Sequence, residues 1–287
     1  MAVVYLNGEY LPSEEAKISP DDRGFLFADG IYEATPAYGG KCFLLERHLA
    51  RLANGLKQLA IDFDGYSLRD MHPQLIERNN LASETAIMVY IQVTRGVAPR
   101  GHAFPTTPIT PTVYMFAKPF SRPSTERWER GYSAITVADR RWANVDIKTV
   151  SLLPNVLAQQ RAVEAQCDDV VFLRDGMVME GSHNNIFAVF GETLVTAPAS
   201  NYILHGITRE YVIEMAEELG LTVQERALPV EEFMRADEVF YTGTTTEIRP
   251  TIVVDGHQIG DGKVGTITRR LSTEFITRTE NLRGKNI

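Results

Sequence analysis

The alternation of apolar and polar positions along the chain predicts many short strands mixed with helices. Val3–Leu11 is an apolar run centred on an Asn-Gly dipeptide, which tolerates the positive φ angles of a tight hairpin turn. Gly30–Tyr38 alternates as a strand, and leucines at helical spacing over 46–59 predict a helix that carries Arg51. The same patterns predict further strands at 41–44, 86–94, 112–117, 132–138, 169–173, 177–180, 185–190, 193–197 and 238–242, a hairpin around Asp255-Gly256 at 251–259, and helices at 67–79, 154–165, 208–219 and 263–280.

Turn and cap residues support this assignment. Ser67 is predicted to cap the second helix, and Thr208 is predicted to cap a helix that ends at Gly220. Because so many strands are joined by short turns, the pattern favours an α+β fold over a doubly wound parallel sheet.

The stretch Lys118–Thr125, KPFSRPST, has two prolines and polar residues, which are typical of a linker. We therefore predict a small N-terminal domain at 1–117, an interdomain linker at 118–125 and a larger domain at 126–287.

Composition narrows the function classes. The chain has 287 residues and a net charge of −8, which argues against general binding to nucleic acids or anionic membranes. Two distant cysteines and the lack of a signal peptide favour the cytoplasm, and no apolar run is long enough to cross a bilayer. The six histidines show no metal-binding spacing, so we expect no metal.

Lys148 lies in the stretch 146–160, DIKTVSLLPNVLAQQ, where apolar residues flank it and Pro154 opens a helix. A desolvated lysine is a good nucleophile and forms an imine with a carbonyl cofactor. Taken alone, an ordinary lysine whose stem lies on a sheet and whose head reaches water is the simpler interpretation. The catalytic hypothesis therefore requires partners elsewhere in the chain.

Candidate partners occur at several points. Glu180 closes a strand and precedes a glycine, where its carboxylate can pair with a protonated pyridine nitrogen or simply end a hairpin. The turn 204–208 and the Thr-rich loop 242–246 both suit a phosphate, with Arg51 as countercharge. Each of these features alone also fits an ordinary cap, loop or solvated helix face.

The long loop 95–111 contains Arg100 and His102, separated only by a glycine. In an extended loop both side chains can face the same way and clamp a carboxylate. A surface loop without function is an equal alternative on this evidence alone.

Together these residues resemble the fold-type IV pyridoxal-phosphate enzymes, the class IV aminotransferases, and among them the D-amino-acid transaminases. The resemblance runs from Tyr5 to about Phe275, and its most specific part is Asp146-Ile-Lys148 followed by Leu152-Leu153 and Asn155-Val-Leu-Ala158. It implies a two-domain α+β fold with a small α/β N-terminal domain, a larger domain with a β-barrel-like core, and pyridoxal 5'-phosphate at the domain interface.

The resemblance also implies a role for each matched residue. Lys148 holds the cofactor as a Schiff base and is the catalytic residue. A homodimer is implied as well, in which the loop carrying Arg100 and His102 reaches the neighbouring active site. The cofactor-binding residues are Arg51, Lys148, Glu180, Leu204, Ile207, Thr208, Gly243 and Thr244, and the residues that bind the substrate carboxylate are Tyr32, Arg100 and His102.

The expected reaction is ping-pong transamination between a D-amino acid, such as D-alanine or D-glutamate, and a 2-oxo acid. Alternatives with the same fold are an (R)-amine or branched-chain amino-acid transaminase and an aminodeoxychorismate-type lyase. A binding protein without catalysis is the alternative from another class. The chain departs from the family pattern at His183, Asn184, Gly243 and Arg249, which leaves its substrate range open.

Overall fold

A computed structural model describes residues 1–284 of the chain. Two compact units are present within the described residues: Met1–Ser121 joined by Ile147–Ser151 and by residues 279–284, and Arg122–Asp146 joined by Leu152–Arg278. The mixed helix and strand content confirms the predicted α+β class. The domain boundaries at 117 and 125 stay predictions.

The first unit is built on an antiparallel sheet. Within the described residues its strand order is β2-β1-β6-β5-β3-β4, and every neighbouring pair is antiparallel. The strands are β1 Val3–Leu6, β2 Glu9–Pro12, β3 Gly30–Tyr38, β4 Lys41–Cys42, β5 Ile87–Thr94 and β6 Thr112–Pro119, and the helices are α1 Arg23–Phe27, α2 Leu45–Gln58 and α3 Met71–Arg78.

Alternating burial along β5 shows why this sheet forms. Every second residue from Ile87 to Val93 is buried, and these side chains join Leu52 and Leu56 of α2 in one core. The predicted hairpin around Asn7-Gly8 is confirmed, with φ of 50° and 102° at the two turn residues.

The predicted cap at Ser67 is wrong. Ser67 lies in the short 3-10 turn Gly65–Leu68, and its hydroxyl donates to the carbonyl oxygen of Asp64 at 2.6 Å. The Asp64 side chain caps that turn instead, so the following helix, α3, begins only at Met71.

The second unit contains a mixed sheet. Within the described residues its order is β12-β11-β10-β13-β14-β7-β8-β9, with β15 paired to β14, and the pairs β11–β12, β14–β7 and β7–β8 are parallel. The strands are β7 Tyr132–Ala138, β8 Asp169–Arg174, β9 Met177–Val178, β10 Asn185–Phe190, β11 Thr193–Thr196, β12 Thr222–Glu225, β13 Glu238–Gly243, β14 Glu247–Val254 and β15 His257–Gln258, and the helices are α4 Thr125–Glu129, α5 Leu153–Glu164, α6 Ile207–Glu218, α7 Val230–Phe233 and α8 Thr266–Gly284.

The centre of this sheet is apolar on both faces. Residues Ile186 to Val189 of β10 are all buried, and Phe187 stacks on Phe240 of β13 with ring centroids 5.0 Å apart. Such continuous burial fixes the register of the central strands. Over residues 1–284, each helix is too short or too polar to span a membrane.

Candidate active site

Lys148 lies in an extended segment that pairs with the start of β3. Its carbonyl oxygen accepts a hydrogen bond from the Tyr32 N–H at 3.0 Å, and the Val150 N–H donates to the Gly30 carbonyl at 3.1 Å. Ile147 packs against the core of the first unit. These contacts fix the backbone on both sides of Lys148, whose Nζ lies 4.2 Å from the centroid of the Tyr32 ring.

Arg51 on α2 is held by a buried carboxylate on β3. Its Nε and Nη2 atoms donate to the two carboxylate oxygens of Glu33 at 2.9 and 2.7 Å, and His48 Nδ1 lies 2.9 Å from Glu33 Oε1. Although burial alone raises it, the pKa of Glu33 is held well below its usual value by Arg51 and His48. Burial lowers the pKa of His48, against the opposing effect of Glu33. Arg51 is therefore positioned by a permanent anion.

Arg100 and His102 meet on one aromatic ring. The Arg100 guanidinium lies 5.2 Å from the ring centroid of Phe27, and the His102 ring lies 5.5 Å from it. Arg23 Nη1 donates to the carbonyl oxygen of Gly101 at 2.6 Å and ties down the loop between them. The Arg100 and His102 side chains, two of the three predicted to bind the substrate carboxylate, are exposed and lie together within the first unit.

Glu180 is buried in the second unit within a polar cluster. Its Oε2 accepts hydrogen bonds from Asn185 Nδ2 at 2.8 Å and the Leu204 N–H at 3.0 Å, and its Oε1 accepts one from Arg141. Arg141 is also bound to Asp139, with Nε 2.9 Å from Oδ1. Burial raises the pKa of the Glu180 carboxyl, and Arg141 and the Leu204 N–H offset only part of that effect. The cluster therefore suits one further cationic or hydrogen-bonding partner.

Asn185 connects two predicted phosphate-binding segments. Its backbone pairs with Thr242 near the end of β13, and its side-chain amide donates to the Leu204 carbonyl at 2.9 Å. A Cβ added at Gly206 would lie 2.0 Å from Asn185 Oδ1. The predicted cap at Thr208 is therefore wrong: Gly206 is the N-cap because only a glycine fits beside Asn185, and Thr208 is the second residue of α6.

Two neighbouring segments present polar groups that could bind a ligand: backbone N–H groups at the start of α6, and the Thr242 hydroxyl near the end of β13. The cap residue Gly206 makes no side-chain cap hydrogen bond, and Ile207 and Thr208 form the first turn behind it. The Thr242 hydroxyl is buried and has no hydrogen-bond partner among residues 1–284. Gly243 ends β13, and Thr244 follows it in the loop. An oxyanion is the ligand that such groups favour.

Sequence reasoning missed three residues of these clusters. Arg141 and Asn185 gave no signal, because their partner Glu180 is distant in sequence from Arg141 and lies across a turn from Asn185. Glu33 did leave a signal, since it is an acidic residue within an otherwise uncharged strand, IYEATPAY. A buried charge in such a strand indicates a fixed partner.

Within the first unit, Lys148 lies beside Tyr32 and Arg51 is anchored by Glu33, and within the second unit Glu180 lies in a buried polar cluster. Residues 30–252 match the model of the amino-transferase class IV family. The chain belongs to the class IV aminotransferases, so it is an enzyme whose substrates are an amino donor and a 2-oxo acid.

Several known proteins are similar over nearly the full length. The D-alanine aminotransferase of Staphylococcus haemolyticus is 40% identical over 278 residues, which cover 96% of this chain and 97% of that protein. Among solved structures, the branched-chain amino acid aminotransferase from Escherichia coli superimposes with a TM-score of 0.86 at 27% identity, over 96% of this chain and 92% of that chain. A second branched-chain amino acid aminotransferase, solved with pyridoxamine 5'-phosphate, gives a TM-score of 0.89 at 27% identity, over 98% of this chain and 94% of that chain.

Proposed function

We propose that this aminotransferase exchanges an amino group between a D-amino acid and a 2-oxo acid, with pyridoxal 5'-phosphate as its cofactor. The observation that carries the proposal is the placement of Lys148, whose backbone is pinned to β3 and whose ammonium lies over Tyr32. The similarity to a D-alanine aminotransferase, at 40% identity, favours D-amino acids over the branched-chain substrates of relatives at 27% identity.

The residues present fit this cofactor. Glu180 is a buried carboxylate with a raised pKa, and a protonated pyridine nitrogen is the cationic partner that would favour its charged form. The Thr242 hydroxyl, which has no partner within the described part of the chain, and the start of α6, whose N-cap Gly206 has no side chain to bond the first N–H groups, suit a phosphate. We assign Arg51, whose guanidinium is held in position by Glu33, to the same group as a permanent cation.

We assign the predicted residues accordingly. Lys148 would hold the cofactor covalently, Glu180 would face its ring nitrogen, and Leu204 would pack on the ring. When bound, the cofactor supplies an electron sink for negative charge at the substrate Cα. The residues assigned to its phosphate are Arg51, Ile207, Thr208, Gly243 and Thr244.

Lys148 then acts on one proton. Once its amine is free, Lys148 Nζ would remove the proton from the substrate Cα as a general base and deliver it to the C4′ carbon of the cofactor; the second half of the cycle would move a proton from C4′ to Cα of the other substrate. The base needs no diffusion to reach its proton, because the hydrogen bonds from the Tyr32 N–H to the Lys148 carbonyl and from the Val150 N–H to the Gly30 carbonyl hold this segment in place. Tyr32 lies against the same ammonium and limits where it can move.

Arg100 and His102, with Tyr32, are assigned to the substrate carboxylate. Fixing the carboxylate decides which face of Cα meets Lys148, and hence which enantiomer reacts. We expect Arg100→Ala to weaken D-alanine use while sparing simple amines, which lack a carboxylate. Equal activity of the variant toward D-alanine would reject this assignment.

The homodimer is part of the same proposal. Arg100 and His102 are exposed on their loop, and α5 also exposes apolar side chains, with Leu153 67% and Val156 60% exposed. Apolar surface of this kind is typical of an interface. We infer that two copies associate and that each lends the loop to the other. The cytoplasmic location stays a prediction.

A complementation experiment tests the shared loop. Lys148→Ala chains and Arg100→Ala chains, each tested alone, are expected to have low transaminase activity with D-alanine. If the loop is lent, a mixed dimer has one site with an intact lysine and an intact loop, and activity returns after unfolding and refolding the two variants together. If each chain uses its own loop, both sites stay defective and no activity returns.

The cofactor linkage is tested by chemical trapping. The purified protein should be yellow, and borohydride should bleach it and leave a mass tag on Lys148. Lys57→Ala, a change at an exposed lysine on α2, is the control and should keep both colour and tag. A tag on another residue, or a colourless protein that does not bind added pyridoxal 5'-phosphate, would refute the proposal.

The donor class is tested by half-reaction spectra. D-alanine, L-leucine and (R)-1-phenylethylamine are mixed separately with the yellow protein, without any acceptor. We expect only D-alanine to change the absorption of the bound cofactor rapidly. A faster response to L-leucine or to the amine would instead favour a branched-chain or (R)-amine transaminase.

A further inference from the structure

Gly243 stands where the backbone does not require a glycine. Its φ angle lies outside the left-handed region, in which other glycines of the chain are found. A Cβ added there would lie 2.7 Å from Asn184 Oδ1 and no nearer than 3.4 Å to Thr246. Within the described residues, the Asn184 side chain is therefore the one group that would have to move to admit a side chain at position 243.

The Asn184 side chain is not free to move. It is 4% exposed, and its Nδ2 atom donates to Asp169 Oδ2 at 2.7 Å while its Oδ1 atom accepts a hydrogen bond from the Thr246 hydroxyl. Asp169 is itself fixed by Ser182, whose hydroxyl donates to Oδ1 at 2.7 Å, and by Arg249. Rotating the amide away from Gly243 would break hydrogen bonds at both of its ends.

We propose that Asn184 is a positioning residue for the loop 243–246, and that Asn184 and Gly243 act as a coupled pair. The amide fills the space that a side chain at 243 would take, and it ties the loop through Thr246 to the buried carboxylate of Asp169. This inference rests on the proposed function, because Gly243 and Thr244 are assigned there to a phosphate monoester. With no side chain at 243, the contribution of that residue comes from its backbone.

A double-mutant cycle tests the pair. The variants are Asn184→Ala, Gly243→Ala and the double variant, each compared with the wild-type chain. Two quantities are measured: the melting temperature of each chain after cofactor removal, and the dissociation constants for pyridoxal 5'-phosphate and for pyridoxal, which lacks the phosphate. Comparing the dissociation constants of pyridoxal 5'-phosphate and pyridoxal separates loss of phosphate binding from general effects on folding.

Asn184→Ala should weaken pyridoxal 5'-phosphate binding by about threefold to tenfold, the range for loss of one positioning hydrogen bond, and leave pyridoxal binding unchanged. Gly243→Ala should lower the melting temperature because its Cβ overlaps the held amide. In the Asn184→Ala background, Gly243→Ala should lower the melting temperature by less than half as much as it does in the wild-type chain. If Gly243→Ala does not fold alone, a folded double variant is the expected result.

Three outcomes would overturn the inference: additive melting shifts, an unfolded double variant, or equal loss of affinity for pyridoxal and its phosphate. Gly55→Ala is the matched control, because its Cβ would meet Ile31 at 3.1 Å and its effect should not depend on Asn184. A wild-type chain that binds neither compound overturns the proposed function, while the melting cycle still decides whether the two positions are coupled.

Discussion

Replacing Glu33 by glutamine isolates the role of its charge. The substitution keeps the size of the side chain, so no cavity forms at this fully buried position. It removes the anion that faces Arg51 and His48. Arg51 would keep one amide oxygen as a partner but would lose the countercharge for its guanidinium.

The geometry sets the expected magnitude. Removing one partner of a buried ion pair costs about 3–5 kcal/mol, because the other charge stays buried without compensation. The Arg51 side chain is 13% exposed and keeps some contact with water, so we expect a value near the lower end, about 3 kcal/mol. For a chain of 287 residues that corresponds to a melting temperature about 5 °C lower.

The pH dependence gives a second readout. The pKa of Glu33 is lower in the folded than in the unfolded chain, so its stabilisation is fully present above the unfolded value of about 4.3 and declines as the pH falls toward the folded value. The stability gap between wild type and Glu33→Gln should therefore be constant near neutral pH and shrink below about pH 4.3.

Thermal unfolding followed by circular dichroism between about pH 3 and pH 8 measures both effects. Glu46→Gln is the matched control, since Glu46 also binds an arginine with both oxygens, yet the Glu46 and Arg69 side chains are 65% and 49% exposed. We expect that control to melt close to wild type. The reasoning fails if the two variants melt together, or if the gap for Glu33→Gln does not change in acid.

Arg141→Met should strongly destabilise the second unit, by about 3–5 kcal/mol, because it leaves the buried Glu180 carboxylate without Arg141, whereas Asp139 keeps Arg174 as a partner. Burial already raises the folded pKa of Glu180, and loss of Arg141 would raise it further, so the deficit in melting temperature should grow from about pH 5 to pH 8, and a deficit independent of pH would contradict this account. Burial raises the pKa of the Cys42 thiol to about 12. In a Cys167→Ser chain at about pH 8, Ellman's reagent should therefore label Cys42 about a thousandfold more slowly than in the same chain unfolded, and comparable rates would show that the thiol is accessible and ionised.

Local signals in the sequence determined much of the secondary structure. The Asn7-Gly8 turn, the alternation in Gly30–Tyr38 and the leucine spacing of α2 each act over a few residues, and all three predictions are confirmed. Pro154 likewise marks the first turn of α5. These features depend on the conformational preferences of neighbouring residues, which the sequence states directly.

Two helix caps were decided by tertiary contacts instead. Thr208 has the chemistry of a cap, but the amide of Asn185 admits only a glycine at position 206 and moves the cap there. Ser67 also has cap chemistry, but Asp64 caps an earlier turn and delays the helix. Cap preference is worth about 1 kcal/mol, which a steric overlap or a competing turn easily exceeds.

The sequence by itself therefore determined most of the longer elements, the class of cofactor chemistry and the identity of Lys148 as the candidate nucleophile, but it did not predict the short elements α1, α4, β12 and α7. Only the tertiary structure decided which charges pair with one another, because Glu33 meets Arg51 across 18 residues and Arg141 meets Glu180 across 39. A buried charge gains its stability from a partner at hydrogen-bond distance, and that distance is set by how strands and helices pack, not by spacing along the chain.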